Sequence, residues 1–191
     1  MLISHLRPAI AMTVAFTLLT GLAYPFAITG IAQALFPAVA NGSLTLQDGK
    51  PVGSDLIGQA FSKAGYLHPR PSASDYNAAG TGASNLGPTS AALIAAVAER
   101  QATFTAENGK PGAIDAVTMS GSGLDPHISP ENAAAQATRI ATARGVDVAK
   151  VQAVIDAGTE GRFLAIYGEA RVTVLQVNMA LDAAFPRPRS R

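Results

Sequence analysis

The stretch AIAMTVAFTLLTGLAYPFAITGIAQALFPAVA, Ala9 to Ala40, decides how this chain is organised. It lies within a run between Arg7 and Asp48 that contains no Asp, Glu, Lys or Arg. A helix needs about 20 apolar residues to cross ~30 Å of hydrocarbon, and residues 9–34 exceed that length with room for tilt. We therefore predict one transmembrane helix over residues 9–34.

The flanks of this helix indicate its orientation. Arg7 lies just before it, together with His5 and the amino terminus, whereas the nearest basic residue after it is Lys50. Positive residues are enriched on the cytoplasmic side of membrane helices. Residues 1–8 are therefore predicted to be cytoplasmic, and residues 35–191 are predicted to form one domain outside the cytoplasm.

A cleaved signal peptide is the competing interpretation of the same stretch. Ala38-Val39-Ala40 has the small-x-small form that signal peptidase accepts, and the turn-like Asn41-Gly42 follows it. The apolar region of a signal peptide usually has about 7 to 15 residues, whereas this one is longer, which favours a retained anchor. Both interpretations place most of the chain outside the cytoplasm.

Some residues of the predicted helix favour packing against another helix. Gly21 and Gly30 are small enough to let helix backbones approach closely, and Pro25 removes one backbone donor, so we expect a kink there. Gly and Pro are also common in membrane helices in general, so a helix that packs against no partner is the alternative interpretation. The helix has no charged residue that could line an ion path, so it forms no channel alone.

Composition and charge exclude several classes of function. The chain has no cysteine, so it has no disulfide, thiolate nucleophile or thiolate-bound zinc. Arg7 alone precedes the apolar stretch, which leaves 13 basic against 13 acidic residues after it. A neutral domain is a poor nucleic-acid binder. The basic tail, with Arg187, Arg189 and Arg191, is interpreted as a solvated terminus, with contact to lipid headgroups as the alternative.

Patterns after residue 40 predict an α+β or mixed α/β domain with a small sheet. Leu44 and Leu46 alternate with polar residues between turn signals, which is typical of a hairpin. Residues 63–88 are rich in Gly, Pro, Ser and Asn and are predicted to form a long ordered loop. The remaining expectations are a helix from Pro88 to about Gln101 or beyond, an αα-hairpin with caps at Ser129 and Asp147, a strand over Arg171–Asn178 and a helix over Met179–Phe185.

The polar segment TMSGSGLDPHISP, Thr118–Pro130, shows no catalytic pattern. Neither of its serines lies in G-x-S-x-G, and no Gly-Lys pair of the chain has the glycine that a P-loop requires. His5, His68 and His127 are too far apart in sequence to indicate a metal site. The N-terminus of the helix at Ser129 could hold an anion, as any such end can. We predict no catalytic residue and no metal.

Longer motifs carry a family resemblance that covers nearly the whole chain. They are TGLAYP (20–25), GSDLIGQAF (53–61), RPSASDYNA (70–78), SNLGPTS (84–90), SGSGLDPHISPENAAAQ (120–136) and EGRFLAIYGEARVTVLQVNMALD (160–182). Together they resemble the C subunit of the bacterial Kdp potassium-transporting P-type ATPase. Four positions depart from the usual family residues, and they affect details of loops rather than the resemblance: His68, Ala83, Ala170 and Thr173.

The resemblance implies a non-catalytic accessory subunit of an ATP-driven potassium uptake complex in the bacterial inner membrane. Its implied partners are a channel-like potassium-binding subunit, a P-type ATPase catalytic subunit, a small fourth subunit and membrane lipid. No cofactor of its own is implied, whereas ATP and K⁺ are implied for the complex. The family is also credited with raising the pump's ATP affinity through nucleotide contact. A membrane-anchored binding module for a small ligand is the alternative.

Two polar loops are the expected contact surfaces for the partner subunits. They fall within residues 63–88 and 120–129, because polar loops suit an interface better than a core. The candidate interface residues are Arg70, Tyr76, Asn77, Ser84, Asn85, Ser120, Ser122, Asp125 and His127.

Overall fold

The computed structural model describes residues 2–186, with side chains from His5 onward. The arginines of the basic tail, at positions 187, 189 and 191, lie outside the described residues. Helices combine with small antiparallel sheets, which confirms the predicted α+β class. The chain forms two compact units that divide between Val52 and Gly53.

The first unit consists mainly of helix. In chain order it contains α1 (Leu2–Leu18), a π-helical turn (Leu19–Ala23), α2 (Tyr24–Leu35), α3 (Pro37–Ala40), β1 (Leu44–Gln47) and β2 (Lys50–Ser54), whose last two residues belong to the second unit.

One continuous apolar helix dominates this unit. It extends from His5 to Leu35, and none of its apolar window is buried. Its 31 residues rise by about 46 Å at 1.5 Å each, which exceeds the ~30 Å of a hydrocarbon core. The prediction of a single N-terminal apolar helix long enough to span a membrane is confirmed.

Pro25 acts on the turn before it. Proline has no N–H to donate to the carbonyl of Gly21, and its ring crowds that carbonyl. Immediately ahead of it the chain adopts the π-helical turn, in which the Tyr24 N–H donates to the Leu19 carbonyl five residues earlier. The local disturbance expected from this proline therefore takes the form of a wider turn.

The predicted hairpin is present. Strands β1 and β2 pair in a two-stranded sheet. Asp48 and Gly49 connect them, both with positive φ, of 51° and 75°. Two consecutive positive φ values are the signature of a type I′ turn, whose twist matches that of paired strands.

The second unit contains the remaining elements. They are α4 (Ala91–Asn108), α5 (Ile114–Val117), β3 (His127–Ile128), α6 (Pro130–Arg144), α7 (Val148–Ala157), β4 (Thr159–Glu160), β5 (Arg171–Thr173) and α8 (Val174–Ala184). The three short strands form one antiparallel sheet in the order β3-β5-β4.

The core of the second unit lies where α6, α7, α8 and β5 meet. Its fully buried apolar side chains include Ile140, Val151, Ile155, Val172 and Leu181. Helices α6 and α7 form the predicted αα-hairpin, joined through a left-handed glycine at position 145. Both predicted caps are confirmed: the Asn132 N–H donates to the side chain of Ser129, and the Ala149 N–H donates to that of Asp147.

Two boundaries differ from the sequence prediction. The strand expected over Arg171–Asn178 ends at Thr173, and α8 begins directly after it. The buried positions 174, 175, 177, 178 and 181 follow a helical period, and their packing on the core overrides the strand propensity of the valines. Helix α4 begins at Ala91 rather than at Pro88 and continues to Asn108, and its Ile94 is exposed.

Candidate functional site

The first half of the long loop is held in the core by side-chain amides from two helices. Asn178 of α8 accepts a hydrogen bond from the Leu67 N–H at 2.7 Å and donates to the Leu67 carbonyl at 3.0 Å. Gln136 of α6 makes the same pair of bonds with the backbone of His68, at 2.8 and 3.1 Å. Leu67 itself is fully buried. This part of the loop is therefore fixed to the core.

Two arginines, Arg139 partly buried and Arg144 with a buried side chain, reinforce this attachment. Arg139 donates to the carbonyls of Ala64 and Tyr66 and to the side chains of Asn108 and Gln136. Arg144, whose side chain is 1% exposed, donates to the carbonyls of Gly65, Leu181 and Phe185 and to the Asp182 carboxylate. Its guanidinium also lies 5.2 Å from the ring centre of Tyr66.

His68 makes the stability of this arrangement depend on pH. Burial lowers its pKa, the nearby charge of Arg139 lowers it further, and the Lys63 carbonyl and Glu107 act in the opposite direction. In the unfolded chain a histidine titrates at about pH 6.5. Between the lowered pKa and that value the unfolded chain binds more protons, so the free energy of unfolding decreases as pH falls.

We predict that this pH dependence weakens in His68→Asn. Wild type and variant would be unfolded in urea as full-length chains in detergent, at several pH values between 7.5 and 5. The loss of stability on acidification should be smaller for the variant, because it has no imidazole to protonate. Parallel curves for the two proteins would contradict the assignment to His68.

A second polar assembly, here called the loop cluster, consists of residues 70–82 and 119–127. Backbone bonds join its two segments: the Ser120 N–H donates to the Pro71 carbonyl at 2.9 Å, and the Gly82 N–H donates to the Ser122 carbonyl at 2.8 Å. The Ser72 hydroxyl adds a bond to the Gly123 carbonyl at 2.7 Å. Two segments about 50 residues apart in sequence thus form one surface.

An ion pair fixes the centre of the loop cluster. Arg70 Nη1 lies 3.0 Å from Asp125 Oδ2, and Arg70 Nη2 donates to the Met119 carbonyl at 3.3 Å. The other carboxylate oxygen, Oδ1, accepts the His127 N–H at 2.9 Å, and the His127 ring lies 3.6 Å from it. Asp125 thus ties its loop to nearby backbone through the His127 N–H.

Tyr76 joins two residues of the loop cluster through hydrogen bonds. Its hydroxyl donates to the Arg70 carbonyl at 2.7 Å, and its backbone N–H donates to the Ser72 hydroxyl at 3.0 Å. Burial, with the neighbouring charge of Asp75, raises the pKa of Tyr76 to about 12. Its phenol therefore stays protonated at neutral pH and remains a donor.

The candidate interface residues divide between inward and outward positions. Ser120 is 2% exposed, and its hydroxyl accepts the N–H groups of Gly123 and Asp125, so it supports the loop from inside. Arg70, Tyr76, Asp125 and His127 are half-buried. The members that face solvent are Asn77, Ser84, Asn85 and Ser122.

The helix N-terminus proposed as an anion site is already occupied by a carboxylate of this chain. Asp115 accepts hydrogen bonds from the Ser129 N–H at 2.7 Å, the Ser129 hydroxyl at 2.8 Å and the Asn132 amide at 3.0 Å. An internal carboxylate satisfies the partial positive charge of that helix end. The group at this helix end, which could hold an anion, is thus the carboxylate of Asp115.

A metal site is absent from the described part of the chain, and the cavity beside the attached loop is small for a ligand pocket. Residues 2–186 contain no group of three or more His, Asp or Glu side chains that could hold a metal ion. A cavity of about 360 Å³ beside His68 is lined by Glu99, Arg100, Phe104 and Glu107 among others. Its volume is near the lower limit of ligand pockets.

Sequence reasoning missed one exposed apolar feature of the second unit. Between β4 and β5 the chain protrudes as a hairpin, and residues 161–168 of it are here called the apolar tip. Phe163 and Tyr167 pair there in an antiparallel bridge. Phe163, Leu164, Ile166 and Tyr167 are 65–74% exposed. A five-residue apolar run between charged residues was the available signal.

Comparison with known proteins decides the family. The family model described as "KdpC: K+-transporting ATPase, c chain" matches residues 6–183. The chain belongs to the KdpC family. Members of the KdpC family named potassium-transporting ATPase KdpC subunit include one from Cereibacter sphaeroides that is 63% identical over 183 residues, covering 96% of this chain and 99% of the relative.

More distant members of the KdpC family are similar over the same length. The KdpC subunit of Caulobacter sp. strain K31 is 54% identical over 191 residues, covering 97% of this chain and 96% of the relative. That of Beijerinckia indica is 50% identical over 193 residues, covering 98% of each. KdpC membership makes the chain an accessory subunit of the K⁺-transporting ATPase, a complex that uses K⁺ and ATP.

Proposed function

We propose that this chain anchors and stabilises the pump by inserting its apolar helix beside the channel-like subunit and placing its second unit on the outer face of the membrane. The single observation that carries the proposal is the apolar helix itself. It is 31 residues long, none of its most apolar stretch is buried, and it belongs to a subunit of a membrane transporter. An apolar surface of this length is stable only in lipid or against other membrane helices.

The helix offers features for close packing on a neighbouring helix. A Cβ atom added at Gly21 or Gly30 would meet nothing within 4 Å, so both glycines leave open space beside the backbone. Gly21 also lies within the π-helical turn that precedes Pro25. Small residues of this kind let the backbone of a second helix approach. We propose that Gly21, Pro25 and Gly30 face the channel-like subunit.

The orientation follows from the flanks of the helix. Arg7 lies near its start, and the next basic residue, Lys50, follows its end at Leu35 by 15 positions. The amino terminus is therefore proposed to be cytoplasmic and the second unit extracytoplasmic. On this orientation the second unit cannot reach cytoplasmic ATP. Any effect of the subunit on the pump's ATP affinity then passes through the partner subunits.

The loop cluster is proposed as a contact surface for the P-type ATPase and channel-like subunits. Its outward residues Asn77 and Ser122, together with Ser84 and Asn85 just after its first segment, supply polar groups. Its inward bonds, such as the ion pair of Arg70 with Asp125, hold those groups in place. A rigid polar loop is suited to an interface, because less conformational freedom is lost on binding.

Cysteine labelling tests the topology. The chain has no cysteine, so a single introduced thiol reports its own position. In spheroplasts that express the whole pump, a membrane-impermeant maleimide is expected to label Ala143→Cys, an exposed position of α6 outside the loop cluster. The matched variant His5→Cys is expected to react only after lysis.

The opposite labelling pattern would overturn the orientation. Labelling of a mature chain that starts at Asn41 would show cleavage, and would overturn the proposed anchor. Recovery of the partner subunits with the tagged wild-type chain is the companion measurement. Its absence in mild detergent would contradict the proposed stabilising role.

A further inference from the structure

We propose that the apolar tip inserts into an uncharged apolar pocket on the extracytoplasmic face of the channel-like subunit. The inference rests on the proposed assembly and deepens it, because it names the surface of this chain that makes the contact.

The first support is the exposure of the tip. Phe163, Leu164, Ile166 and Tyr167 are 72, 70, 74 and 65% exposed. An aromatic side chain alone buries about 150–250 Å² when covered. Two aromatic and two aliphatic side chains together therefore reach the ~300–600 Å² of the largest apolar patch on a typical soluble monomer. The largest apolar patch of a soluble monomer is often a functional surface.

The second support is that the backbone of the tip is already formed. The Phe163 N–H donates to the Tyr167 carbonyl and the Tyr167 N–H donates to the Phe163 carbonyl, both at 2.9 Å. Leu164 and Ala165, at the turn, have φ of 51° and 61°. Residues other than glycine seldom adopt this left-handed backbone conformation, so the turn is held by the backbone bonds between Phe163 and Tyr167. A preformed tip loses little conformational freedom on docking.

The third support is the charge around the tip, which favours a protein over a lipid surface. Arg162 lies 2.9 Å from Glu169, and Arg171 lies 2.6 Å from Glu160. Both basic side chains are thus paired within the hairpin, and its four charges cancel. Attraction to an anionic bilayer needs unpaired basic residues. An apolar centre surrounded by balanced charges instead matches the anatomy of a protein interface.

The first test compares two isoleucines that lie in different places and are both highly exposed. Ile166 lies in the tip, whereas Ile114, 81% exposed, lies at the start of α5. Each is replaced by aspartate in the full-length chain, and the recovery of the tagged channel-like subunit in mild detergent is measured. Ile166→Asp is expected to lower recovery by about tenfold or more, as at an interface hot spot, and Ile114→Asp by less than about twofold.

Urea unfolding of both variants separates docking from folding. Unfolding midpoints close to wild type are expected, because both side chains project into solvent. Equal recovery of the partner with wild type and Ile166→Asp would overturn the proposal. Failure of the wild-type chain to recover any partner would instead count against the proposed function, which keeps the two failures distinguishable.

Photo-crosslinking identifies what covers the tip. A benzophenone amino acid is placed at position 166 or, as the control, at position 114, in cells that express the complete pump. A crosslink from position 166 to the channel-like subunit supports the proposal. A product of twice this chain's mass, a crosslink to another protein, or a lipid adduct without a protein partner would each overturn it.

Discussion

Replacing Arg144 by alanine is expected to lower the free energy of unfolding by about 3–5 kcal/mol. The guanidinium is almost fully buried and donates to three carbonyls and one carboxylate. Two of the carbonyls, of Leu181 and Phe185, lie at the end of α8, where a positive charge is favourable. The alanine variant loses all of these bonds in a site that water does not readily fill. The Leu181 carbonyl still accepts the Phe185 N–H, and the Asp182 carboxylate still accepts the Tyr66 hydroxyl.

Arg171→Ala is the matched control for this experiment. Arg171 also pairs with a carboxylate, that of Glu160, but both side chains are about half exposed, at 50 and 49%. An exposed pair of this kind contributes about 0–1 kcal/mol. Both variants would be measured as full-length chains in detergent, by pulse proteolysis across a urea series. Equal destabilisation by the two substitutions would contradict the role assigned to Arg144.

Gly58→Val is the second substitution with a large expected effect, of about 2–3 kcal/mol in the free energy of unfolding. The Gly58 N–H donates to the Leu124 carbonyl at 2.7 Å. A Cβ at this position would lie 2.6 Å from the Asp125 carbonyl oxygen, which belongs to the backbone and cannot rotate away. The variant must therefore separate residue 58 from the loop cluster.

Gly121→Val tests whether the effect depends on that close approach. Gly121 lies in the loop cluster as well, but a Cβ there would meet nothing within 4 Å. Its valine variant is expected to unfold within about 0.5 kcal/mol of wild type, as for a surface substitution. Hydrogen exchange of amides at residues 119–127 would report the local loosening in Gly58→Val. Unchanged protection in that variant would show that the loop tolerates the added side chain.

Much of the fold could be predicted because its signals are local. The apolar helix depends on composition alone, and the caps at Ser129 and Asp147 depend on one side chain and the next turn of backbone. The I′ turn at Asp48 and Gly49 is equally local. Features of this kind need no knowledge of distant residues, so the sequence pattern was sufficient.

Other features depend on contacts that no local pattern encodes. The length of β5 was overestimated because the valines after Thr173 suit a strand, and only their packing on the core makes them helical. The inward position of Ser120 depends on its pairing with Pro71, 49 residues earlier. The apolar tip could not be recognised, because a run of apolar residues does not reveal whether the tertiary structure covers it.

The bond pair between Asn178 and the backbone of Leu67 joins positions 111 residues apart. The segment around Leu67 can bond earlier to Gln136 and Arg139 of α6, but its attachment is incomplete until α8, near the carboxyl end, has been synthesised. Folding of this unit is consequently completed late, because the entropy of closing so long a loop is lost before the contact can stabilise the fold. Nascent chains that stop before α8 should remain open to proteases, so only completed polypeptides would be available for assembly into the transporter.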